Sequence, residues 1–299
     1  MIGLHDGRHT DVRRRRPGWT RTIALFAAAV GLLAASVGPA TAAPAGADRV
    51  KAIVTFDAAP GRSARQAVAQ AGGTVRKTLG LVNGLAIELP RARLKGLAAA
   101  PHVRGVELDG TVTILEPVLS AAATGDLEYD NAWGVEHIGA KPVHDAGIRG
   151  QGIRVAVIDT GIDYIHDDPD DLPYVVDPEF SSNYRGGYDF FNNDADPFDD
   201  HGHGTHVAGI LAAEKNGYLV VGVSPAVELY ALKILGASGE GDVSNLILAL
   251  QWAVANDMDV VNMSLGTHEV SATLASARPK HMHAVGTRGG EARPEREGN

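Results

Sequence analysis

Two short segments hold side chains that could do chemistry together: residues 154–163 read RVAVIDTGID and residues 201–209 read HGHGTHVAG. In the first, an apolar run fit for a buried parallel strand ends on Asp159, and Thr160-Gly161 follows, where glycine lets other backbone approach closely. In the second, His203 stands where Gly204-Thr205 turns into a stretch of helical periodicity running to Ala213. A carboxylate fixed at a strand end can accept from the δ nitrogen of an imidazole, set its tautomer and stabilise the imidazolium formed when the other nitrogen takes a proton. A base of this kind contributes about 10²–10⁴-fold to a rate. In acyl transfer it draws its proton from a positioned nucleophile. A lone strand-end aspartate is usually a helix cap or turn former, but here the two motifs occur together with their flanks.

The same histidines permit another reading. His201, His203 and His206 spell HxHxxH beside Asp199 and Asp200, similar to the HxHxDH zinc motif of the metallo-β-lactamase fold, and imidazoles at that spacing can share an ion. Thr205 occupies the aspartate position of that motif, and the reading leaves DTGID and NMSLG unexplained. Packing along the helix is the simpler role for His206. No residue is assigned as a metal ligand.

The surrounding elements have to place Asp159 and His203. Val227–Leu235 reads as a strand. Asp242 can cap a helix beginning at Val243, whose Leu246, Ile247, Leu250, Ala253 and Val254 form one apolar face, and Asp259–Leu265 reads as a further strand. Alternation of strand and helix predicts an α/β domain with an open parallel sheet wound on both faces, its functional residues beyond the carboxyl ends of the strands. Before it, Val50–Phe56 reads as a strand, Ser63–Ala71 as a helix stopped by Gly72-Gly73, TVRKTLGLVNGLAIELP as strands turning at Asn83-Gly84, RARLKGLAAA as a short helix closed by Pro101, and VRGVELDG as a last strand. That is the pattern of a small α+β sandwich of ferredoxin-like type.

Composition narrows the function classes. With 299 residues, 44% hydrophobic and 21% charged, the chain is ordinary globular protein with room for about two domains. Arg13–Arg16 and Arg21 precede an apolar run of 15 residues, Ile23–Val37, followed by Gly38-Pro39 and Ala40-Thr41-Ala42. This is the layout of a secretory signal over residues 1–42, too short for a spanning helix of roughly 20 residues, and it predicts a secreted, extracellular protein without a stable membrane anchor. There are no cysteines, so disulfides and thiolate metal sites are excluded. Between Asp159 and Asp200 thirteen acidic residues face one basic residue, Arg185, within a chain of net charge −9. Such a field disfavours a nucleic-acid partner. A solvated acidic loop or partial coordination of a hard cation such as calcium both remain open for it.

The residues that carry these motifs resemble the subtilisin-like serine proteases, peptidase family S8. VAVIDTGID places that family's aspartate on Asp159, and HGTHVAG places its histidine on His203. GYDFFNNDADPFDD and GVSPAVELYALKIL also match. The resemblance implies that Ser264, Leu265 and Gly266 of NMSLG pair with an extended polypeptide substrate, with Ser238, Gly239, Glu240 and Gly241 lining the other side, so that substrate is added as a strand. Residues 48–117 are similar to the inhibitory propeptide of the family, through IVTF, NGLAIELP, LKGLAAAPHV and VRGVELDG, which implies an intramolecular partner for the protease domain. Residues 118–131, with Ser120-Ala121-Ala122-Ala123, then form a linker expected to carry the processing site. Around HDDPDDL, where some members bind calcium, the aligned aspartate is ambiguous among Asp168, Asp170 and Asp171, so structural calcium is possible while the chemistry requires no cofactor.

The likeness covers residues 132–276 as a partial protease domain. Residues 277–299 read as a non-family tail, rich in proline, glycine, arginine and glutamate without apolar periodicity, as a shifted frame, a truncation or a natural end would give. No serine lies in the GTSxA setting that such a domain uses. Ser264, Ser271 and Ser276 do not sit on a turn entering a helix beside glycine and a small residue. The expectation is a secreted endopeptidase precursor, inactive in this polypeptide, and the alternative from another class is a non-catalytic, propeptide-type protease inhibitor or binder.

Overall fold

The computed structural model describes residues 48–114, 127–164, 177–267, 271–277 and 283–285. The leader, most of the linker and Asp168, Asp170 and Asp171 lie outside these residues.

The N-terminal unit alternates as its sequence demands: β1 (Arg49–Phe56), α1 (Arg62–Gln70), β2 (Thr74–Leu79), β3 (Gly84–Pro90), α2 (Leu94–Ala98) and β4 (Val103–Leu108). The sheet order is β2-β3-β1-β4, with antiparallel neighbours throughout. Asn83 takes a left-handed φ of 50° at the predicted turn between β2 and β3, a conformation asparagine tolerates. Period-2 alternation divides the side chains between two cores. Ala52, Val54 and Phe56 of β1 and Leu85, Ile87 and Leu89 of β3 pack with Val68 and Leu97, while Ile53, Leu79 and Ala86 turn into a second apolar cluster shared with the following domain.

That domain contains short helices α3 (Leu127–Asn131), α4 (Trp133–His137) and α5 (Ala140–Asp145), then β6 (Arg154–Asp159), β7 (Tyr184–Asp189), α6 (His203–Ala212), β8 (Glu228–Lys233), α7 (Val243–Ala255), β10 (Val260–Asn262), α8 (Ala272–Ser276) and β12 (His283–Val285). Its sheet is parallel, in the order β12-β10-β6-β8-β7. Val155 and Val157 of β6 pack with Ala208 and Ala212 of α6, whereas Ala156 and Ile158 pack with Leu246 and Leu250 of α7. One strand therefore buries both faces under helices, as its unbroken apolar run requires. The fold is the expected open, doubly wound α/β sheet.

A third sheet stands apart, in the order β11-β5-β9, from β5 (Thr111–Ile114), β9 (Glu240–Asp242) and β11 (Leu265–Thr267). The single strand read over Asp259–Leu265 is thus two: β10 ends at Asn262, and after Met263-Ser264 the chain joins the other sheet. Val254 departs from the apolar face of α7 and is 43% exposed, because burial follows Ala249 and Ala253 on the other side of the stripe. The stretch read as a tail, residues 277–299, contains one described strand. His283–Val285 pairs in parallel with β10, since three consecutive residues suffice to extend a sheet edge where composition averaged over a longer window shows no strand.

Candidate active site

Asp159 ends β6 fully buried, and His203 opens α6 at 8% exposure. His203 Nδ1 lies 2.7 Å from Asp159 Oδ1. A carboxylate only accepts, so Nδ1 carries the proton and Nε2 is the nitrogen left to take one. Asp159 Oδ1 also accepts the Thr160 N–H at 2.7 Å, while Oδ2 is buried with no hydrogen-bond partner among the described residues.

Glycines bring the two elements together. A Cβ on Gly204 would meet Gly161 O at 2.2 Å and the Cβ of Asp159 at 3.1 Å, so only glycine lets the start of α6 settle against the end of β6. Gly161 has φ +116° and lies against the Pro197–Asp199 backbone, where a Cβ would come within 2.5 Å of Pro197 O. Gly204 N–H donates to Thr160 Oγ1 at 2.8 Å. Thr205 Oγ1 accepts the Asp163 N–H at 2.9 Å and donates to Asp199 Oδ2 at 2.6 Å, tying DTGID to HGTH through a hydroxyl.

Two further side chains hold this arrangement, and sequence reading gave neither a role. Asp199 accepts the N–H groups of His201, Gly202 and Thr205 besides the Thr205 hydroxyl. Burial pushes its carboxyl up, but the Thr205 hydroxyl and those N–H groups outweigh burial and hold it below the usual range. Lys233, 1% exposed, donates to Thr160 O and Asp200 Oδ1, each at 2.5 Å. The signal was legible in LYALKIL: a lysine inside a buried strand has to find carbonyl or carboxylate partners.

The three histidines do not converge. His201 is exposed, its Nδ1 accepts the His203 N–H at 3.3 Å, and the two ring centroids stand 6.4 Å apart. His206 is exposed rather than packed. With His203 Nδ1 on Asp159, Asp199 filled by donors and Asp200 on Lys233, the geometry offers no shared-ion arrangement. Among the described residues no three His, Asp or Glu side chains are grouped to hold a metal ion.

The other sequence-derived residues gather around β5. Thr111, Val112 and Thr113 pair with Asp242, Gly241 and Glu240, while Val112, Thr113 and Ile114 pair with Thr267, Gly266 and Leu265, antiparallel on both sides. Ile114 N–H donates to Gly239 O at 3.2 Å. Gly239 has φ +71°, and a Cβ there would stand 3.2 Å from the Ile114 side chain and 3.4 Å from His201 Nε2. Val112 is fully buried in the cluster that contains Val243, Leu246 and Leu265. Ser238 is exposed beside this sheet, and Ser264 Oγ accepts from Asn262 Nδ2 at 3.0 Å. Ser271 caps α8 through the Leu274 N–H and donates to Glu107 at 2.7 Å, and Ser276 Oγ donates to Thr273 O.

Comparison with known proteins accords with this geometry. The sequence profile of the subtilase family matches residues 150–292. Over that stretch the chain belongs to the subtilase family. It is 41% identical to M-protease of Shouchella clausii (strain KSM-K16) over 175 residues, 58% of this chain and 42% of that protein. It is 35% identical to subtilisin amylosacchariticus of Bacillus subtilis subsp. amylosacchariticus over 229 residues, 76% of this chain and 53% of that protein. Among solved structures, fervidolysin from Fervidobacterium pennivorans, a keratinolytic enzyme related to subtilisin, superposes with a TM-score of 0.60 at 26% identity, covering 77% of this chain and 38% of that one. The chain spans about half the length of the curated relatives it matches. The subtilase match continues to residue 292, through the segment that composition set apart as a tail. No described helix is long and apolar enough to cross a membrane.

Proposed function

We propose that this chain is the precursor form of a secreted subtilisin-like serine endopeptidase: a leader over residues 1–42, an inhibitory propeptide over residues 48–117, a processed linker and a protease domain. Asp159 orients His203, and His203 Nε2 is the general base for a serine hydroxyl in peptide-bond hydrolysis. Extended polypeptide substrates bind as a strand between Ser238–Gly241 and Ser264–Gly266.

The observation that carries this reading is the 2.7 Å contact of His203 Nδ1 with a fully buried Asp159. The paired strands around β5 support it, because a segment of the chain's own N-terminal region already lies between the two stretches assigned to substrate. The same observation favours the second reading, a protease-binding role for the N-terminal unit.

No serine of this sequence stands in the GTSxA setting, so in this reading no hydrolysis is expected from the 299-residue polypeptide by itself. The test is treatment of the purified chain with a fluorophosphonate probe alongside a casein assay. Neither labelling nor turnover is expected. Turnover lost on changing one of the chain's own serines and on His203→Ala would overturn the inactivity while upholding the role of His203. Turnover indifferent to His203→Ala would overturn the assignment of the base.

A further inference from the structure

A cavity of about 530 Å³ opens between the N-terminal sheet and the first turn of α7, away from Asp159 and His203. Its charged lining is three cations and one carboxylate: Lys51, Arg76, Lys77 and Asp242. The carboxylate is already engaged, with both Asp242 oxygens accepting from Lys51 Nζ at 2.8 and 2.7 Å. Lys77 Nζ has neutral partners, Phe190 O at 3.1 Å and Asn245 Oδ1. Among the described residues no carboxylate pairs with Lys77 or with Arg76, which is exposed at the rim. The lining therefore keeps an excess of positive charge, reduced by Asp109, which acts on Lys77 from outside the cavity, in a chain whose net charge is −9.

We propose that this cavity binds a tetrahedral oxyanion, a phosphate or sulfate group, held by Lys77 and Arg76 at the seam between the N-terminal unit and α7. The excess of positive charge in the lining asks for an anion. Arg76 supplies a planar fork suited to adjacent oxygens, and Lys77 supplies a point charge. The volume exceeds that of a bare ion, so the group can be free or carried on a small organic body.

Lys77 is partly buried. Burial lowers its proton affinity, Asp242 and Asp109 restore part, Arg76 and Lys51 lower it again, and the balance falls below the ordinary lysine range. An oxyanion beside it favours the charged form, so binding is coupled to proton uptake at alkaline pH. Because β2 supplies Arg76 and Lys77 while α7 supplies Asn245 and Asp242 stands at its cap position, the bound ion also strengthens the docking of β2 on α7.

Calorimetric titration of the full chain at constant ionic strength tests this, with inorganic phosphate, phenyl phosphate and chloride as probes. Saturable binding of phosphate but not chloride is expected, weakened at least tenfold in Arg76→Gln and in Lys77→Gln and unchanged in Lys95→Gln, an exposed lysine elsewhere. Tighter binding of phenyl phosphate than phosphate assigns an organic carrier, and equal affinity assigns the free ion. Should Lys77→Gln fail to fold, the rim variant Arg76→Gln decides alone. Absence of saturable binding, affinity unchanged in Arg76→Gln, or an equal loss in Lys95→Gln overturns the proposal.

Discussion

Asp109, just past the last strand of the N-terminal sheet, accepts the Ser244 N–H at 2.9 Å and so caps a helix that belongs to the next domain. The residue at the cap position itself, Asp242, makes no side-chain cap bond, because both its oxygens are on Lys51. Seating of the N-terminal unit is thereby coupled to the integrity of α7, and Val243 N–H to Gly110 O at 2.8 Å reinforces the same joint.

Asp109→Ala is expected to cost about 0.5–2 kcal/mol, the usual loss for a cap. Asp109→Asn keeps an acceptor and removes a charge. Burial raises the Asp109 carboxyl, the Ser244 hydrogen bonds oppose this, Asp242 raises it further and Lys51 lowers it, with a net rise above 3.8. For a carboxyl raised on folding, the cost of ionisation is full above its folded value and vanishes as pH falls to the unfolded one. Asp109→Asn should therefore match or exceed the parent in urea denaturation near pH 7. Its relative advantage should shrink toward about pH 4, and an advantage that grows on acidification would refute the assignment.

Gly204→Ala places a methyl 2.2 Å from Gly161 O, and neither backbone can yield without parting α6 from β6. A loss of about 1–3 kcal/mol or more is expected from overpacking. Separation of His203 from Asp159 should also remove the Nδ1-protonated tautomer, read from imidazole nitrogen shifts. Unchanged stability and an unchanged tautomer would show that the close approach is not required.

Lys233→Met leaves Thr160 O without its donor and Asp200 without its cation. Breaking a buried pair on one side costs about 3–5 kcal/mol, and the lower part of that range is expected because the Asp200 side chain is 43% exposed. Lys233→Arg is not a rescue, since a guanidinium does not fit a site shaped for an ammonium with two close acceptors. Denaturation midpoints of the two variants against the parent give the answer.

Local signals made Asp159 and His203 legible: a strand that ends on a carboxylate and a helix that begins on an imidazole are written in adjacent residues. Strand and helix alternation likewise gave the doubly wound sheet. Long-range competition was not visible. Asp242 looked like a cap because its neighbours favour one, and nothing nearby announced that Lys51, 191 residues away, would take the carboxylate. The break between β10 and β11 was hidden for a similar reason, since Asp259–Leu265 reads as one strand until β5 arrives to pair with Leu265 and the residues after it. His206 looked like a packing residue by helical position, yet it faces solvent on a helix whose buried stripe runs through Gly204, Ala208 and Ala212.

Val112 anchors β5, being fully buried among residues of the following domain. Val112→Asp puts a carboxylate in that apolar cluster without a partner and should expel the strand. Hydrogen exchange at Gly241 and Gly266, on its two sides, is expected to accelerate in Val112→Asp and much less in Val112→Thr. Equal exchange in parent and Val112→Asp would show that β9 and β11 are held without the intervening strand.

Acid should reach the start of α6 late. Burial raises the Asp199 carboxyl, but the Thr205 hydroxyl and the Gly202, Thr205 and His201 N–H groups together hold it below 3.8. A carboxyl depressed on folding contributes stability that is complete above its unfolded value and is lost as pH falls through the folded one. The advantage of the parent over Asp199→Asn is therefore expected to be constant from about pH 7 to about pH 4 and to narrow below that, measured as the difference in urea midpoints. Asp163 and His201 amides should lose exchange protection in the variant, the first because its N–H rests on Thr205 and the second because it donates to Asp199 directly. A difference that narrows well above pH 4 would mean that the carboxylate is not held ionised by those donors.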